Sequence, residues 1–178
     1  MENKRTLKLA FMGGRQAGLI GVITAMAAGC EVLAAVGYSK ELVVILKSLG
    51  IPVYDSIDDK RFIKSLTNVD LLLSVHGRQI VKPQLLRLPR LGAVNIHPYL
   101  YKYKGSNPVG RALKDKEFKA SVAAHVMEEK IDSGEVLVEE FVDVSGAVSV
   151  DDIYNKLYPC YSLVILKALR LITYAQKL

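Results

Sequence analysis

The stretch Ala93-Val94-Asn95-Ile96-His97-Pro98 is a β-branched run that ends in polar side chains. Asn95 and His97 are two residues apart, so on a strand both lie on one face while Ile96 points to the other. Pro98 removes a donor from the hydrogen-bond ladder and is therefore expected to end the strand. Because open α/β sheets bind ligands at the carboxyl ends of their strands, this stretch predicts a binding site there.

Before this stretch, short apolar runs alternate with segments of helical periodicity. This βαβ rhythm predicts a parallel, doubly wound sheet, whose buried strands are typically continuous apolar runs. Gly29 and Gly50 are expected to terminate the first two helices. The predicted strands are Leu7–Met12, Val32–Val36, Ile51–Tyr54, Asp70–Val75 and Ala93–His97, and the predicted helices lie around Leu19–Met26, over Glu41–Leu49, and from Asp58 or Asp59 to about Leu66.

The pattern changes after the fifth strand. Ala120–Met127 and Glu135–Val144 have the character of two strands joined by a turn, which predicts an antiparallel pair. A terminal helix is expected to begin at Ser149, where an acidic residue three positions later resembles a capping box. Pro159 is expected to kink or split this helix. Its core face is expected to carry Ile153, Leu157, Val164, Ala168 and Leu171.

Together these elements predict one domain over residues 1–178. The fold class is α/β, with a Rossmann-like, mostly parallel twisted sheet, helices on both faces and an antiparallel edge pair. A chain of 178 residues with a hydrophobic fraction of 51% can bury a single substantial core. A short helix over Pro108–Leu113 is also expected, with proline in its first turn.

The location of the protein is indicated by what the sequence contains near its start and by its cysteines. No apolar stretch reaches the roughly 18 residues needed to span a bilayer. The amino-terminal apolar segment is broken by Gly13, Gly14 and Arg15 without a cleavage site, so a signal peptide is not expected. Cys30 and Cys160 are typical of a reduced protein rather than a disulfide scaffold. We therefore predict a cytoplasmic protein without a membrane partner.

The net charge of +6 comes from 24 Lys and Arg against 18 Asp and Glu. The positive charge is concentrated between Arg78 and Lys119. It fits either a solvated surface or attraction of an anionic small molecule, such as a polyglutamyl or phosphorylated ligand. Nucleic acid is the least favoured partner, because no aromatic-interleaved basic stripe or reader motif accompanies the charge.

Asn95, His97 and the Asp132 of Asp132-Ser133-Gly134 have the chemistry for acyl transfer to an amine. An asparagine amide can donate to a developing oxyanion without titrating. A histidine can donate as well, or move the proton that the attacking amine releases. A nearby carboxylate orients the imidazole and favours its protonated form. A nucleophilic serine is not indicated, because the chain has no G-x-S-x-G elbow.

Other polar residues receive plainer interpretations. His125 lies in an alternating strand and is interpreted as structural, with lining of the pocket as an alternative. No metal site is predicted, because His76, His97, His125 and Asp132 come without a helical histidine pair or a cysteine cluster. Gly13-Gly14 is interpreted as a plain βα turn, since the G-x-G-x-x-G spacing of dinucleotide-binding proteins is missing.

From Asp70 to Val144 the chain resembles the catalytic domain of the 10-formyltetrahydrofolate-dependent formyltransferase superfamily. Asn95-Ile96-His97-Pro98 ends a strand, Tyr99–Gly105 is a basic loop that closes on glycine, and Asp132-Ser133-Gly134 follows in a hairpin. The resemblance is nearest to sugar N-formyltransferases and methionyl-tRNA formyltransferase. It implies 10-formyltetrahydrofolate as formyl donor. It also implies that Asn95 donates to the formyl oxyanion, that His97 stabilises it or moves protons, and that Asp132 holds His97 and a bridging water.

The resemblance further implies a folate-binding surface made of two segments. Arg78-Gln79-Ile80-Val81 matches the stretch whose backbone groups and apolar side chain contact the pterin in this family, so Ile80 and Val81 are expected to form its wall. The turn Glu129-Lys130-Ile131 is expected to complete the pocket through main-chain atoms.

The loop after the fifth strand departs from the family pattern. Tyr101 stands where proline or leucine is usual, and Lys104 replaces arginine before Gly105. Lysine and arginine are not equivalent where a planar fork is needed, so this departure bears on acceptor choice and turnover.

The implied reaction moves a formyl group to a primary amine, and the first-choice acceptor is an amino sugar carried on a nucleotide. Glycinamide ribonucleotide is the second choice, because Met12–Ala17 lacks the Ser-Gly-x-Gly-Ser-Asn phosphate loop of purine-pathway members. A folate-binding homologue with weak or lost turnover is the alternative from another class. The identity of the amine, the pathway and the oligomeric state stay open, and a homodimer is compatible with the sequence.

Overall fold

The predicted alternation of strands and helices is present along the chain, which the computed structural model describes over residues 6–175. Residues 1–5, on which the argument against a signal peptide partly rests, lie outside the described part, as do residues 176–178. The elements are β1 (Lys8–Gly13), α1 (Arg15–Ala27), β2 (Glu31–Gly37), α2 (Lys40–Ser48), β3 (Val53–Tyr54), α3 (Lys60–Leu66), β4 (Leu71–Val75), α4 (Pro83–Leu86), β5 (Ala93–Pro98), α5 (Pro108–Lys114), β6 (Lys119–Val126), β7 (Val136–Asp143) and α6 (Val150–Ala175).

The strand order is β3-β2-β1-β4-β5-β6-β7. β1 pairs in parallel with β2 and with β4, β2 pairs in parallel with β3, and β6 pairs with β7 antiparallel. The predicted fold class, a mostly parallel α/β sheet with an antiparallel edge pair, is therefore confirmed. The chain divides into two compact units, Met1–Val94 and Asn95–Leu178, and the single domain predicted over residues 1–178 stays a prediction.

In the first unit the parallel strands are buried because they are flanked by closely packed helices. Every residue of β4 is buried, as is every residue of β1 except Lys8. A Cβ atom on Gly21 of α1 would lie 2.8 Å from Cγ2 of Val75, so glycine lets this helix approach β4 closely. At the start of β4 the carboxylate of Asp70 accepts from the Lys8 N–H at 2.9 Å and pairs with Arg90 at 2.8 Å. This pairing offsets the cost of burying that carboxylate.

In the second unit the long helix α6 packs against the antiparallel pair of β6 and β7. β6 is buried over Ala120–His125, whereas β7 is largely half-exposed. The predicted core face of α6 is confirmed for Ile153, Leu157, Val164 and Ala168, all of which are buried.

Two expectations about local structure are corrected, and one helix is present that the sequence did not predict. Leu171 does not face the core: its side chain is 50% exposed, because the buried run of α6 ends at Leu169. Pro159 does not split the terminal helix, since α6 continues through it and buried side chains on both sides hold the flanking turns in place. The short helix α4 was not expected from the sequence, because four residues are too few to show a helical period.

The described residues contain no helix that is long and apolar enough to cross a membrane.

The predicted capping box at the start of α6 gives a first testable outcome. The Asp152 N–H donates to Oγ of Ser149 at 3.1 Å, and the Ser149 N–H donates back to Oδ2 of Asp152 at 2.9 Å. Ser149→Ala is expected to lower the free energy of unfolding by about 1 kcal/mol, measured by urea unfolding. The control Val148→Ala removes a side chain that is 87% exposed and is expected to change it by less than about 0.5 kcal/mol. Equal losses in the two variants would contradict the capping role.

Candidate active site

Strand β5 places Asn95 and His97 on one side of the second unit, as the two-residue spacing predicts. Asn95 is half-buried, and the His97 side chain is 10% exposed. The neighbouring strand β6 lies alongside: the Tyr99 N–H donates to the Ser121 carbonyl at 2.9 Å, and Asn95 contacts His125. From Asn95 to Tyr99 the chain advances by four residues, while their partners His125 and Ser121 go back by four, as expected of antiparallel neighbours.

His97 is held by two acceptors on the same side of its ring. Its Nε2 atom lies 3.1 Å from the Gly105 carbonyl oxygen and 3.1 Å from Oδ2 of Asp132. A carbonyl oxygen can only accept a hydrogen bond, and the same is true of an ionised carboxylate. The proton in these contacts therefore lies on Nε2 of His97. The Gly105 N–H donates to the same carboxylate oxygen at 2.6 Å. Gly105 therefore binds both members of the His97–Asp132 pair through its backbone.

The turn that carries Asp132 has an unusual backbone. Asp132 has a φ of 53°, in the left-handed region that costs most side chains energy and that aspartate tolerates better than most. Ser133 Oγ donates to the Lys130 carbonyl at 2.8 Å and closes the turn. A Cβ atom on Gly134 would collide with the carbonyl oxygen of Val126, so only glycine fits there. Local backbone strain of this kind is concentrated at functional sites.

The Asp132 carboxyl is strongly perturbed. Burial by itself raises its pKa, but hydrogen bonds with the imidazoles of His125 and His97, the charge of His97 and the Gly105 N–H together outweigh burial. The net effect holds the pKa of Asp132 well below its ordinary range. The carboxylate is therefore ionised at neutral pH although only 8% of its side chain is exposed.

From the sequence, His125 is interpreted as a structural residue. In the structure it lies inside the candidate site. Its Nε2 atom is 3.3 Å from Nδ2 of Asn95 and 3.5 Å from Oδ1 of Asp132. Its ring lies edge-on to that of His97, with 6.5 Å between the centroids. An antiparallel register between β5 and β6 would have located it opposite Asn95, but the sequence does not specify that register.

Three tyrosines of the loop after β5 anchor it to the segment 115–119, which leads into β6. The Tyr99 hydroxyl donates to the Glu117 carbonyl at 3.0 Å, the Tyr101 hydroxyl to the Lys119 carbonyl at 2.6 Å, and the Tyr103 hydroxyl to the Asp115 carboxylate at 2.8 Å. These three contacts, of which that of Tyr101 comes from a departure from the family pattern, fix the loop that ends at Gly105.

In the predicted folate-binding segment of the first unit, the side chain of Gln79 is held by hydrogen bonds within that unit. Gln79 accepts through Oε1 from the Tyr38 hydroxyl and the Ile57 N–H, and donates through Nε2 to Ser56 Oγ, at 2.8 to 3.1 Å. Of the two side chains expected to form the pterin wall, Ile80 is 70% exposed and Val81 is buried. Arg78 is exposed.

In the second unit the turn Glu129-Lys130-Ile131 lies on the surface between β6 and β7, and all three side chains are exposed. The assignment of both segments to folate binding stays a prediction. No group of histidine, cysteine and acidic side chains within residues 6–175 is arranged to hold a metal ion.

Comparison with known proteins places this geometry in a family. The family model described as formyl transferase matches residues 58–169, which include Asn95, His97, Gly105, His125 and Asp132. The chain belongs to the formyl transferase family. Members of this family use 10-formyltetrahydrofolate as formyl donor.

Curated relatives of this formyl transferase chain are longer than it is. The methionyl-tRNA formyltransferase of Clostridioides difficile (strain 630) is 31% identical over 129 residues, which are 69% of this chain and 41% of that protein. The bifunctional polymyxin resistance protein ArnA of Wigglesworthia glossinidia brevipalpis is 28% identical over 171 residues, or 88% of this chain and 26% of that protein. The chain thus spans less than half the length of either relative.

Solved structures share the fold of this formyl transferase chain. Phosphoribosylglycinamide formyltransferase from Anaplasma phagocytophilum superposes with a TM-score of 0.81 and 20% identity, covering 96% of this chain and 89% of that one. A formyltetrahydrofolate deformylase from Pseudomonas syringae pv. tomato gives a TM-score of 0.79 and 19% identity, covering 96% and 62%. At this level of identity the likeness is one of fold.

The depressed pKa of Asp132 gives a prediction for stability against pH. In the unfolded chain this carboxyl titrates near its ordinary value of about 3.9, so ionised Asp132 stabilises the fold above about pH 4. This contribution is lost as the pH falls further toward the folded-state pKa. The free energies of unfolding of the wild-type chain and Asp132→Asn, measured in urea, are expected to differ by a constant amount at neutral pH and to converge below about pH 4. A difference that persists or widens in acid would contradict this assignment.

Proposed function

We propose that the chain transfers a formyl group from 10-formyltetrahydrofolate to a primary amine. The observation that supports this most directly is the buried Asp132 carboxylate, 3.1 Å from Nε2 of His97, with Asn95 contributing an amide beside His125. Such an arrangement offers a hydrogen-bond donor for a developing oxyanion and a base whose positive charge can be balanced. Membership of the formyl transferase family supplies the reaction class.

The formyl donor supplies a formyl group attached to nitrogen, and the stretch Arg78–Val81 and the turn Glu129–Ile131 stay our candidates for holding it. The first presents the exposed apolar side chain of Ile80, and the second that of Ile131. In each segment an exposed apolar side chain of this kind suits contact with a flat ring system such as pterin.

In the proposed reaction His97 transfers the proton that the attacking amine releases. Because its Nε2–H is bound to Gly105 and Asp132, the unprotonated atom of the neutral ring is Nδ1. Nδ1 is buried and has no hydrogen-bond partner among the described residues, a cost of about 1–3 kcal/mol for a polar atom. In the proposed reaction it takes the proton that leaves the attacking amine, and Asp132 stabilises the imidazolium. The same proton then passes to the leaving nitrogen.

In the proposed reaction Asn95 stabilises the oxyanion that forms on the formyl oxygen. As the amine nitrogen bonds to the formyl carbon, electrons move onto the formyl oxygen, and an N–H of the Asn95 amide donates to it. When the carbon–nitrogen bond to the folate breaks, the carbonyl reforms on the product formamide. A donor placed in this way contributes about 3–4 kcal/mol to lowering the barrier.

For the acceptor we propose an amino sugar carried on a nucleotide. Lys104 immediately precedes Gly105, whose backbone binds both His97 and Asp132, and its side chain is exposed. Lys130, two residues before Asp132, is exposed as well. Two cations so close in sequence to the reacting groups favour an acceptor that carries phosphate. The cytoplasmic location inferred from the two cysteines stays part of this proposal.

The reaction is tested by mixing the protein with 10-formyltetrahydrofolate and a panel of amines, and following release of tetrahydrofolate. The panel contains a nucleotide-linked amino sugar, glycinamide ribonucleotide and methionyl-tRNA. His97→Ala and Asp132→Asn are each expected to lower kcat at least about 100-fold, since both disable the proton transfer. Asp143→Asn, which removes an exposed carboxylate that accepts from Ser145, is the matched control and is expected to keep wild-type rates.

Near-wild-type turnover in either site variant would remove the proposed mechanism. Tight binding of the folate without release for every amine would favour the alternative of a folate-binding homologue. Release of tetrahydrofolate with free formate and no formamide would identify hydrolysis instead of transfer.

Lys104→Gln tests the acceptor class. It is expected to raise KM for the nucleotide-linked acceptor roughly two- to five-fold, because an exposed ion pair contributes about 0.2–1 kcal/mol. The matched control is Lys114→Gln, which removes an exposed lysine on α5. KM for the same amino sugar without its nucleotide is expected to be unchanged in both variants. An equal rise for charged and uncharged acceptors would show that Lys104 does not bind the phosphates.

A further inference from the structure

We propose that Arg111 is a positioning residue of the proposed reaction, and that it aims the N–H of Gly105 at the carboxylate of Asp132. This inference rests on the proposed function, in which that carboxylate stabilises the imidazolium of His97. Arg111 is exposed on α5 and takes no part in the proposed proton transfer. Its guanidinium nevertheless binds the loop that ends at Gly105.

The peptide group between Lys104 and Gly105 is bound at both of its polar ends. Nη2 of Arg111 donates to the Lys104 carbonyl oxygen at 2.5 Å. The Gly105 N–H donates to Oδ2 of Asp132 at 2.6 Å. Because this peptide group is planar and trans, its carbonyl and its N–H point in opposite directions. Two hydrogen bonds therefore join a cation on one side of the peptide group to the buried carboxylate on the other.

The space around Gly105 does not fix the direction of this peptide group. Gly105 has a φ of 80°, in the left-handed region, and a Cβ atom built on it would meet nothing within 4 Å. Rotation of the peptide group would carry the N–H away from Asp132 and would break the bond between Arg111 and the carbonyl. The guanidinium therefore favours the one orientation in which the N–H meets the carboxylate.

The charge on the guanidinium also strengthens the hydrogen bond at the other end of the peptide group. A hydrogen bond from an ionised donor is roughly twice as strong as one between neutral groups. Because it polarises the carbonyl, it makes the N–H of the same peptide group a better donor, as in other chains of hydrogen bonds. An exposed cation thus acts on a carboxylate, that of Asp132, whose side chain is only 8% exposed.

The ring of Tyr103 keeps the guanidinium in this position. Cζ of Arg111 lies 5.5 Å from the ring centroid, within the range of a cation–π contact. Tyr103 is buried, and its hydroxyl donates to the carboxylate of Asp115, just after α5, at 2.8 Å. The ammonium of Lys102 lies 5.6 Å from the same centroid but is paired with Glu117. A planar guanidinium can lie on a ring and donate at its edge at the same time, so arginine suits this position.

Arg111→Met tests this role, because methionine keeps an unbranched apolar stem beside Tyr103 and removes the donor. We expect kcat to fall roughly 10-fold, since a misplaced group near the reacting atoms is costly even when the altered residue is remote. KM for the folate and KM for the acceptor are expected to stay unchanged. Lys114→Met, which removes an exposed cation from the same helix, is the matched control and is expected to keep kcat within about two-fold. Equal thermal midpoints of the two variants exclude unfolding as the cause.

The second measurement does not depend on turnover. Lys104-Gly105 is the only place in the sequence where glycine follows lysine. Labelling lysine with ¹³C at its carbonyl and glycine with ¹⁵N therefore makes this one peptide group visible by NMR. In the wild-type protein we expect its amide proton far downfield, because the hydrogen bond to the carboxylate is short. We expect the amide proton to move upfield in Arg111→Met and in Asp132→Asn, and to stay in place in Lys114→Met.

Unchanged kcat in Arg111→Met would overturn the inference, as would an equal loss in Lys114→Met. A higher KM for the acceptor with unchanged kcat would also overturn it, because Arg111 would then bind the acceptor instead. If the wild-type protein formylated no amine, the proposed function would fail, and the Gly105 amide proton would decide the inference by itself. An upfield shift in Arg111→Met but not in Lys114→Met would then support it, and any other result would overturn it. Should Arg111→Met fail to fold, Arg111→Ala takes its place with the same expectations.

Discussion

The buried carboxylate of Asp132 is the group around which the second unit of this protein is arranged. One of its oxygens accepts from His97 and from the Gly105 N–H, at 3.1 and 2.6 Å, and the other faces His125. An ionised carboxylate that is almost out of contact with water costs several kcal/mol unless such partners surround it. Three separate segments of the chain must therefore meet at this point for any of them to be stable there.

This requirement explains two features that local preferences would not produce. Asp132 occupies the left-handed region of backbone conformation, and Gly134 lies where no side chain fits beside Val126. Both are consequences of turning the carboxylate inward from a hairpin whose neighbouring side chains, such as Ile131, are exposed. The energy stored in the turn is offset by the hydrogen bonds that the carboxylate makes.

The loop between β5 and α5 shows how a departure from a family pattern can preserve a site. A proline would stiffen such a loop by fixing its backbone φ, whereas here three tyrosine hydroxyls bind the loop to the segment 115–119. Its far end, Gly105, then meets His97 and Asp132 with both of its backbone polar groups. The loop, His97 and Asp132 are consequently one hydrogen-bonded assembly within the second unit.

The sequence by itself determined the order and kind of nearly all elements, because the period of apolar residues and the turn residues are local properties. It also singled out Asn95, His97 and Asp132, because the spacing of residues on a strand and a turn motif are both short, local sequence patterns. It did not determine the place of His125 in the site or the exposure of Leu171. Which residue lies opposite Asn95 depends on the register of two strands distant along the chain, and whether the end of α6 is covered depends on where its partners stop. Both are set by long-range packing, so only the tertiary structure decided them.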